Sequence, residues 1–270
     1  MAGEAGTQRV ALCLEYEGSG FSGWQAQKAT SLATVQETLE AALSRVAGAA
    51  VSTVCAGRTD AGVHASAQVV HFDVSVRRPE RAWVFGGNAL TGPAVAIQWA
   101  REVSGDFHAR FSAEARTYRY LVLNRSQRTA WMAGRCLHER VSLDDAAMHL
   151  AAQALIGEHD FSAFRGAGCQ SKTPMRRVET IAVRRIGEFV CIDVRANAFL
   201  LHMVRNIVGS LLRVGRGEEG AYWIGELLQA RDRRRGGATA PPGGLYLAGV
   251  SYGAQWGLPP LPPAPYAAAL

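Results

Sequence analysis

The spacing of apolar residues along the chain predicts short strands that alternate with amphipathic helices. A short apolar run from Val10 to Leu14 predicts a buried strand. Thr34 and Glu37 have the spacing of a capping box, and apolar residues recur at helical spacing behind them. The first helix is therefore expected to begin at about residue 35, with a long loop between it and the first strand.

Later segments continue this mixture of elements. Further strands are predicted at 51–55, 68–76, 95–103, 116–123, 178–183, 189–194 and 245–252, two of them forming a hairpin around Gly187. Ser142 and Asp145 form a second capping box, which predicts a helix at 142–156. Apolar helices are also expected at 199–214 and 221–230.

The elements fall into two similar halves, each with several strands and one or two helices. Tight turns between strands favour mixed or antiparallel sheets, so the predicted fold class is α+β. We predict an N-terminal α+β subdomain at 9–106 and a C-terminal one at 107–256. A disordered N-terminus at 1–8 and a Pro- and Ala-rich tail at 257–270 flank them.

The charge of the chain gives a weak indication of its partner. Lys and Arg number 29 against 23 Asp and Glu, which gives a net charge of +6. Only Lys28 and Lys172 are lysines, and the arginine guanidinium suits phosphate groups and bases better than lysine does. A GC-rich genome would produce the same bias, so total charge only weakly favours an anionic partner.

Several function classes are disfavoured by what the sequence contains. The five cysteines are odd in number and form no CxxC pair, which indicates reduced thiols and a cytoplasmic location. No basic-then-apolar signal segment opens the chain, and the charge-free run at 82–100 contains Gly, Asn and Pro, which argue against a membrane span. The seven histidines lack metal-ligand spacing, so neither a metal nor a cofactor is expected.

A GxGxxG pattern at 18–23 raises the alternative of a nucleotide-dependent enzyme. A dinucleotide site requires a helix that begins within the glycine turn, so that its N-terminus holds the pyrophosphate. The next helix signal is the cap at Thr34. These glycines are therefore expected to shape a loop.

The turn-rich segment at 55–65 is the first candidate for chemistry. It holds Arg58 and Asp60 two residues apart between glycines. A simple turn explains this composition, because Asp and Gly are common turn formers. Equally, a carboxylate beside a fixed cation stays ionised, as a nucleophile must. Both explanations remain open from the residues alone.

Three other segments carry charge in an apolar or aromatic setting. Arg205 lies on a narrow polar stripe of the apolar helix after 199, where a buried cation needs a carboxylate, either a structural partner or Asp60. Basic and aromatic residues interleave at 107–112 and 116–120, which suits RNA or an ordinary sheet. The polar loop at 161–174 could clamp a phosphate backbone or only connect two elements.

Seven short motifs together resemble the tRNA pseudouridine synthase A (TruA) family. They lie, in family order, at 16–18, 21–25, 57–64, 107–111, 169–174, 202–209 and 244–247, and the resemblance runs from about residue 10 to 252. The Gly-Arg-Thr-Asp-Ala-Gly block at 57–62 is highly specific in that setting. Glu17 and Leu201 depart from the family pattern, which often has Asp and His there.

The resemblance implies an isomerase that converts uridine to pseudouridine at positions 38, 39 and 40 of the tRNA anticodon stem-loop. It also implies two related α+β subdomains with a cleft between them, a homodimer, tRNA as partner, and no cofactor. The alternative from the residues is a non-catalytic RNA-binding protein, which pseudouridine formation in unmodified tRNA would exclude.

The resemblance also assigns roles to individual residues. Asp60 corresponds to the catalytic nucleophile. Arg58, Tyr118, Arg205 and Leu245 correspond to substrate-binding residues. The residues implied to contact RNA are Arg78, Phe107, His108, Arg110, Phe111, Gly168, Cys169, Gln170, Ser171 and Lys172.

Overall fold

A computed structural model of the chain describes residues 7–26 and 32–263. They form two compact units, one comprising residues up to Glu114 together with those from Tyr246 onward, the other Ala115–Leu245. Each unit combines antiparallel strands with helices, which confirms the predicted α+β class.

The first unit is built on a sheet centred on β1 (Gln8–Tyr16) and β3 (His64–Val74). These two strands pair antiparallel, and β4 (Val95–Val103) pairs antiparallel with the free side of β1. The two-residue strand β2 (Val54–Cys55) pairs with β3, as does β10 (Leu245–Tyr252), which runs parallel to it. Strand β10, the last strand in the chain, is therefore part of the sheet of the first unit.

Two helices, α1 (Val35–Ala47) and α2 (Glu80–Thr91), belong to this unit. The predicted capping box is confirmed, because Thr34 Oγ1 accepts a bond from the Glu37 N–H and the Glu37 carboxylate accepts one from the Thr34 N–H. The buried face of α1 carries Leu39 and Leu43.

The charge-free run at 82–100 divides into part of α2 and part of β4. Gly87 of α2 lies so close to the sheet that a Cβ there would be 2.3 Å from Cδ1 of Ile97. The sequence did not predict α2, because glycine and asparagine in its last turns obscure the helical pattern. Within residues 7–26 and 32–263, no helix is long and apolar enough to cross a membrane.

The second unit contains an antiparallel sheet in the order β5-β9-β8-β7. Its strands are β5 (Ala113–Asn124), β7 (Gly157–Asp160), β8 (Met175–Ile186) and β9 (Phe189–Ala196), and a short β6 (Leu137–Glu139) pairs with β5. The helices are α3 (Asp145–Ala152), α4 (Met203–Gly215) and α5 (Trp223–Ala230). The predicted hairpin at Gly187 is confirmed, and φ is +56° there.

Several element boundaries differ from the sequence prediction, and three of them have a clear local cause or concern the candidate site. Helix α3 is capped by Asp144, whose carboxylate accepts from the Ala147 N–H, so the prediction of a cap at Ser142 is wrong. Helix α4 begins at Met203, after His202 adopts a left-handed φ of +58°. The strand predicted at 51–55 shortens to its last two residues.

The compact units divide the chain between Glu114 and Ala115. Residues 246–252, placed by sequence in a C-terminal subdomain, form most of β10, which pairs with β3 of the first unit. Gln8, which the predicted disordered start at 1–8 included, opens β1, and residues 257–263 of the predicted tail form neither helix nor strand. The rest of these two predictions concerns residues 1–6 and 264–270, which lie outside the described residues.

We expect Asp144→Ala to lower the free energy of unfolding by about 1 kcal/mol, because it removes the N-terminal cap of α3. Ser142→Ala is the matched control and should change it by less than about 0.5 kcal/mol, since Ser142 is exposed. Urea unfolding of both variants measures the difference. Equal losses would mean that Ser142 also caps the helix.

Candidate active site

The turn at 56–63 places Asp60 between β2 and β3. Asp60 is half-buried, and its carbonyl accepts a hydrogen bond of 3.1 Å from the Val63 N–H. Gly62 allows this tight turn because its φ is +76°, a conformation that residues with a Cβ rarely adopt. The carboxylate therefore sits on a short, closed turn.

Hydrogen bonds from neighbouring elements fix the residues before Asp60. Thr59 is buried, its hydroxyl shares a bond of 2.7 Å with the Tyr16 hydroxyl, and its carbonyl accepts from the Trp24 N–H at 3.0 Å. The Gln68 amide donates to the Gly57 carbonyl at 2.6 Å. Such bonds fix the backbone that carries a candidate functional side chain.

The glycine-rich loop at 18–23 packs directly on this turn. A Cβ on Gly18 would lie 2.0 Å from the Val63 carbonyl oxygen, and one on Gly23 would lie 2.8 Å from that of Thr59. The Gly18 N–H also donates to Nδ1 of His64 at 2.9 Å. These glycines permit close backbone approach. No helix begins among the described residues 18–26, whereas a dinucleotide site requires a helix that starts at the glycine turn.

Other polar side chains of the turn are less suited to nucleophilic chemistry than Asp60. Burial raises the pKa of the Cys55 thiol to about 12, so its thiolate is scarce at neutral pH. The Thr59 hydroxyl is engaged by Tyr16. Arg58 is exposed and makes no hydrogen bond or ion pair within the described part of the chain. Asp60 is therefore the best candidate nucleophile of the turn.

The segment 107–112 divides into a buried anchor and an exposed tip. Phe107 is fully buried and its ring packs against those of Tyr252 and Trp256, at centroid distances of 5.2 and 5.4 Å. Phe111 is 76% exposed, with the guanidinium of Arg110 over its ring at 5.6 Å. An exposed ring beside a cation can stack on an unpaired base.

Two histidines hold the backbone of this segment. The Ala109 N–H donates to Nδ1 of buried His71 at 3.1 Å. The N–H groups of Arg110 and Phe111 both donate to Nδ1 of His108 at 3.2 Å. Burial and the nearby Arg9 lower the pKa of both rings, that of His71 to about 4. Both rings are therefore neutral acceptors at pH 7.

In the second unit, Tyr118 and Leu245 are largely buried. The Tyr118 ring, on β5, meets that of Phe199 edge-on at 4.9 Å. Leu245 opens β10 behind Gly244, where a Cβ would lie 2.6 Å from the Tyr120 ring. The Tyr120 hydroxyl donates to the Pro241 carbonyl at 2.8 Å, which fixes the segment leading into Leu245.

Arg205 lies on α4, where a covering segment explains the predicted polar stripe. Its Nε donates to the Ala240 carbonyl at 2.7 Å. Beside it, the buried Asn206 accepts from Arg233 at 3.0 Å, and a Cβ on Gly209 would lie 1.8 Å from the Ala238 carbonyl oxygen. The stripe is thus covered by residues 233–240, which lie against the helix.

The remaining predicted RNA contacts are mostly on the surface of their units. Arg78 is exposed just before α2, and its Nε donates to the Val46 carbonyl at 3.3 Å. In the loop at 168–172, Gly168, Gln170 and Lys172 are exposed, whereas Cys169 and Ser171 are half-buried. Over residues 7–26 and 32–263, no group of three or more His, Cys, Asp or Glu side chains could hold a metal ion.

The sequence profile of the family described as "tRNA pseudouridine synthase" matches residues 12–112 and 151–253, most of the chain. The chain therefore belongs to the tRNA pseudouridine synthase family, and it is an isomerase of uridine in tRNA. The resemblance found in the motifs is confirmed, and the alternative of a non-catalytic RNA-binding protein is set aside.

Three similar proteins carry the name "tRNA pseudouridine synthase A". The one from Aeromonas salmonicida (strain A449) is 52% identical over 257 residues, covering 95% of each chain. That from Coxiella burnetii (strain Dugway 5J108-111) is 52% identical over 258 residues, 96% of this chain and 98% of the relative. That from Xanthomonas euvesicatoria pv. vesicatoria (strain 85-10) is 55% identical over 251 residues, 93% and 98%.

Sequence reasoning missed two residues that hold the candidate functional segments through hydrogen bonds, Tyr16 and His71. Tyr16 and His71 lie on strands that the sequence predicts in part, but nothing in the sequence pairs Tyr16 with Thr59 or His71 with Ala109. A polar residue in an otherwise apolar strand was the available signal, because a buried polar group requires a hydrogen-bond partner.

We expect Gly18→Ala and Gly23→Ala to destabilise the protein by about 1–3 kcal/mol, because each new Cβ meets the backbone of the Asp60 turn. Gly20→Ala is the control and should be near neutral, since no atom lies within 4 Å of its Cβ position. Urea unfolding and initial rates of pseudouridine formation measure both effects. Equal behaviour of the three variants would contradict the close packing.

We also expect acid to weaken the fold through His71. Its folded pKa of about 4 lies below the unfolded value of about 6.5, so the unfolded chain binds a proton first as pH falls. The stability that neutral His71 contributes is present above about pH 6.5 and is lost between there and pH 4. Unfolding of His71→Asn across that range should show a shallower loss than the parent protein. If the free energy of unfolding fell equally with pH in the two proteins, the lowered pKa of His71 would be contradicted.

Proposed function

We propose that this chain forms pseudouridine at positions 38, 39 and 40 of the tRNA anticodon stem-loop, with Asp60 as the nucleophile. The observation that carries the proposal is the Asp60 turn, whose Thr59 is held by Tyr16 and Trp24 while the neighbouring thiol is buried. The Gly-Arg-Thr-Asp-Ala-Gly block around it matches the family motif.

The reaction rearranges one nucleotide without oxidation or group transfer to another molecule. The bond between ribose C1′ and uracil N1 breaks, the base turns, and C5 bonds to C1′. The proton lost from C5 is balanced by the one gained at N1. An ionised Asp60 can attack or stabilise the ribose carbon, or add to the base. Either role requires a carboxylate held in a fixed position.

We further propose that Tyr118, Leu245, Arg205 and Arg58 bind the target uridine. Extruding a base costs a few kcal/mol. Stacking of the base on an aromatic ring such as Tyr118 offsets about 1–3 kcal/mol of that cost. The edge-on support of Tyr118 by Phe199 and the bond from Arg205 to Ala240 favour fixed side chains at Tyr118 and Arg205.

RNA contacts outside the target nucleotide are proposed for Arg78, for 107–111 and for 168–172. Support comes from the exposure of Phe111 and Lys172 and from the cation beside the Phe111 ring. A homodimer and a cytoplasmic location are also part of the proposal. The location accords with five free cysteines.

We expect Asp60→Asn and Asp60→Ala to abolish pseudouridine formation while tRNA affinity stays within roughly tenfold, about 1.4 kcal/mol. The carboxylate acts on the reacting atoms, and RNA affinity arises mainly from phosphate and stacking contacts elsewhere. Tritium release from labelled tRNA measures the rate, and filter binding measures the affinity.

Glu15→Gln provides the matched control. It neutralises an exposed carboxylate on β1 of the same unit and should leave both the rate and the affinity unchanged. Near-normal product formation by Asp60→Asn would rule out Asp60 as the nucleophile.

A further inference from the structure

A buried cation without a counter-ion lies behind the loop at 168–172. Arg176, on β8, is only 9% exposed. Its guanidinium donates to the Thr173 carbonyl at 3.1 Å, the Met175 carbonyl at 2.5 Å and Ser171 Oγ at 2.6 Å, while its buried Nε has no partner. Within residues 7–26 and 32–263 no carboxylate lies within ion-pair distance of it.

Arg165 precedes the same loop in the chain and is also without a carboxylate partner among the described residues. Its Nη2 donates to the carbonyls of Cys169 and Ser171, at 2.7 and 2.8 Å. Other arginines of this unit's sheet behave differently. Arg119 and Arg184 pair with Asp193, Arg185 with Asp145, and Arg195 with Glu179.

The two guanidiniums leave the loop with uncompensated positive charge. The carbonyl and hydroxyl oxygens that accept their hydrogen bonds carry no net charge, and Arg176 Nε has no acceptor, so the energetic cost of a buried cation is only partly offset. The exposed Lys172 adds to the same field. The pKa of the Cys169 thiol is affected by these surroundings. Burial raises that pKa, but the N–H groups of Leu201 and Ser171 and the Arg165 guanidinium outweigh burial, so that the pKa is lowered.

We propose that a phosphodiester group of bound RNA is the missing counter-ion of Arg165 and Arg176, seated on the loop at 168–172. This inference rests on the proposed function, since it assumes that the loop contacts tRNA. Half-buried Arg165 offers donors to the phosphate, and guanidinium groups bind phosphate with fixed geometry. Arg176 is a positioning residue, which binds the Ser171 hydroxyl and the carbonyls of Thr173 and Met175 just after the loop, and adds positive charge.

The site is suited to a phosphate group of a polymer because of what surrounds it. Gly168 has a φ of +77°, and no atom lies within 4 Å of its Cβ position, so the loop surface is open there. Charges in a partly buried setting are screened less by salt than exposed charges are. One backbone phosphate can therefore be fixed at this point while the rest of the RNA remains outside.

The test combines protein variants with RNA that lacks single charges. Unmodified anticodon stem-loop RNAs, each with one neutral methylphosphonate linkage, are titrated against the full chain and its variants Arg165→Gln, Arg176→Gln and Arg176→Lys. Arg184→Gln is the matched control, because it lies on the same strand but pairs with Asp193, which keeps Arg119 as a partner. Thermal unfolding checks that each variant is folded.

We expect the parent protein to bind one of these RNAs, the one whose neutral linkage replaces the bound phosphate, roughly tenfold more weakly than native RNA, about 1.4 kcal/mol. Arg165→Gln and Arg176→Gln should bind native RNA roughly tenfold more weakly and should lose no further affinity at that linkage. Their slope of log Kd against log salt should fall by about one. Arg176→Lys should keep the slope, because it keeps the charge, and Arg184→Gln should match the parent.

Three results would overturn the inference. The Gln variants could bind native RNA as tightly as the parent, or they could be weaker yet remain equally sensitive to every linkage, which would indicate a purely structural role. A change of oligomeric state in light scattering with unchanged RNA affinity would instead identify an acidic side chain of a second copy as the counter-ion. If Arg176→Gln does not fold, Arg165→Gln and Arg176→Lys decide the same question.

Binding and turnover separate this inference from the proposed function. Coupling between the arginines and one linkage, together with no pseudouridine from the parent protein, would remove the proposed function and leave the phosphate site. Normal pseudouridine formation by the parent protein, with no linkage at which the arginine variants and the neutral RNA have overlapping effects, would keep the proposed function and remove the phosphate site.

Discussion

The anchoring of Thr59 is the constraint on which the candidate active site depends. A carboxylate can act on a sugar carbon or a base only from a fixed position, yet Asp60 lies in a turn, where backbones are usually mobile. Tyr16 and Trp24 hold the residue before it through one hydroxyl and one carbonyl. The backbone that carries Asp60 is thereby fixed by contacts of the preceding residue.

Gly18 and Gly23 contribute to this site because they have no Cβ atom. Gly18 and Gly23 let two loops approach at distances that any Cβ would prevent, and the turn then rests on backbone atoms. The same GxGxxG letters in a dinucleotide-binding protein expose N–H groups at a helix start. Here the glycines lie against another loop, so one sequence pattern serves a different physical purpose.

The two proposed RNA-contacting segments are supported by opposite electrostatic arrangements. The segment at 107–112 is held by neutral histidines that accept hydrogen bonds from backbone N–H groups. The side chains of Arg110 and Phe111 lie at the surface. The loop at 168–172 is held by the Arg165 guanidinium, which donates to the backbone carbonyls of Cys169 and Ser171. The first arrangement presents an aromatic ring and the second presents positive charge, the two features by which RNA is bound.

The sequence by itself determined the fold class, the capping box of α1, the hairpin at Gly187 and the family, because these depend on local periodicity and on a block of adjacent residues. Only the tertiary structure decided that β10 joins β3, that Tyr16 holds Thr59, and that Arg176 is buried with no carboxylate at ion-pair distance among the described residues. These contacts join residues far apart in the chain, and hydrophobic patterning fixes which face of a strand is buried but not which distant residue will meet it.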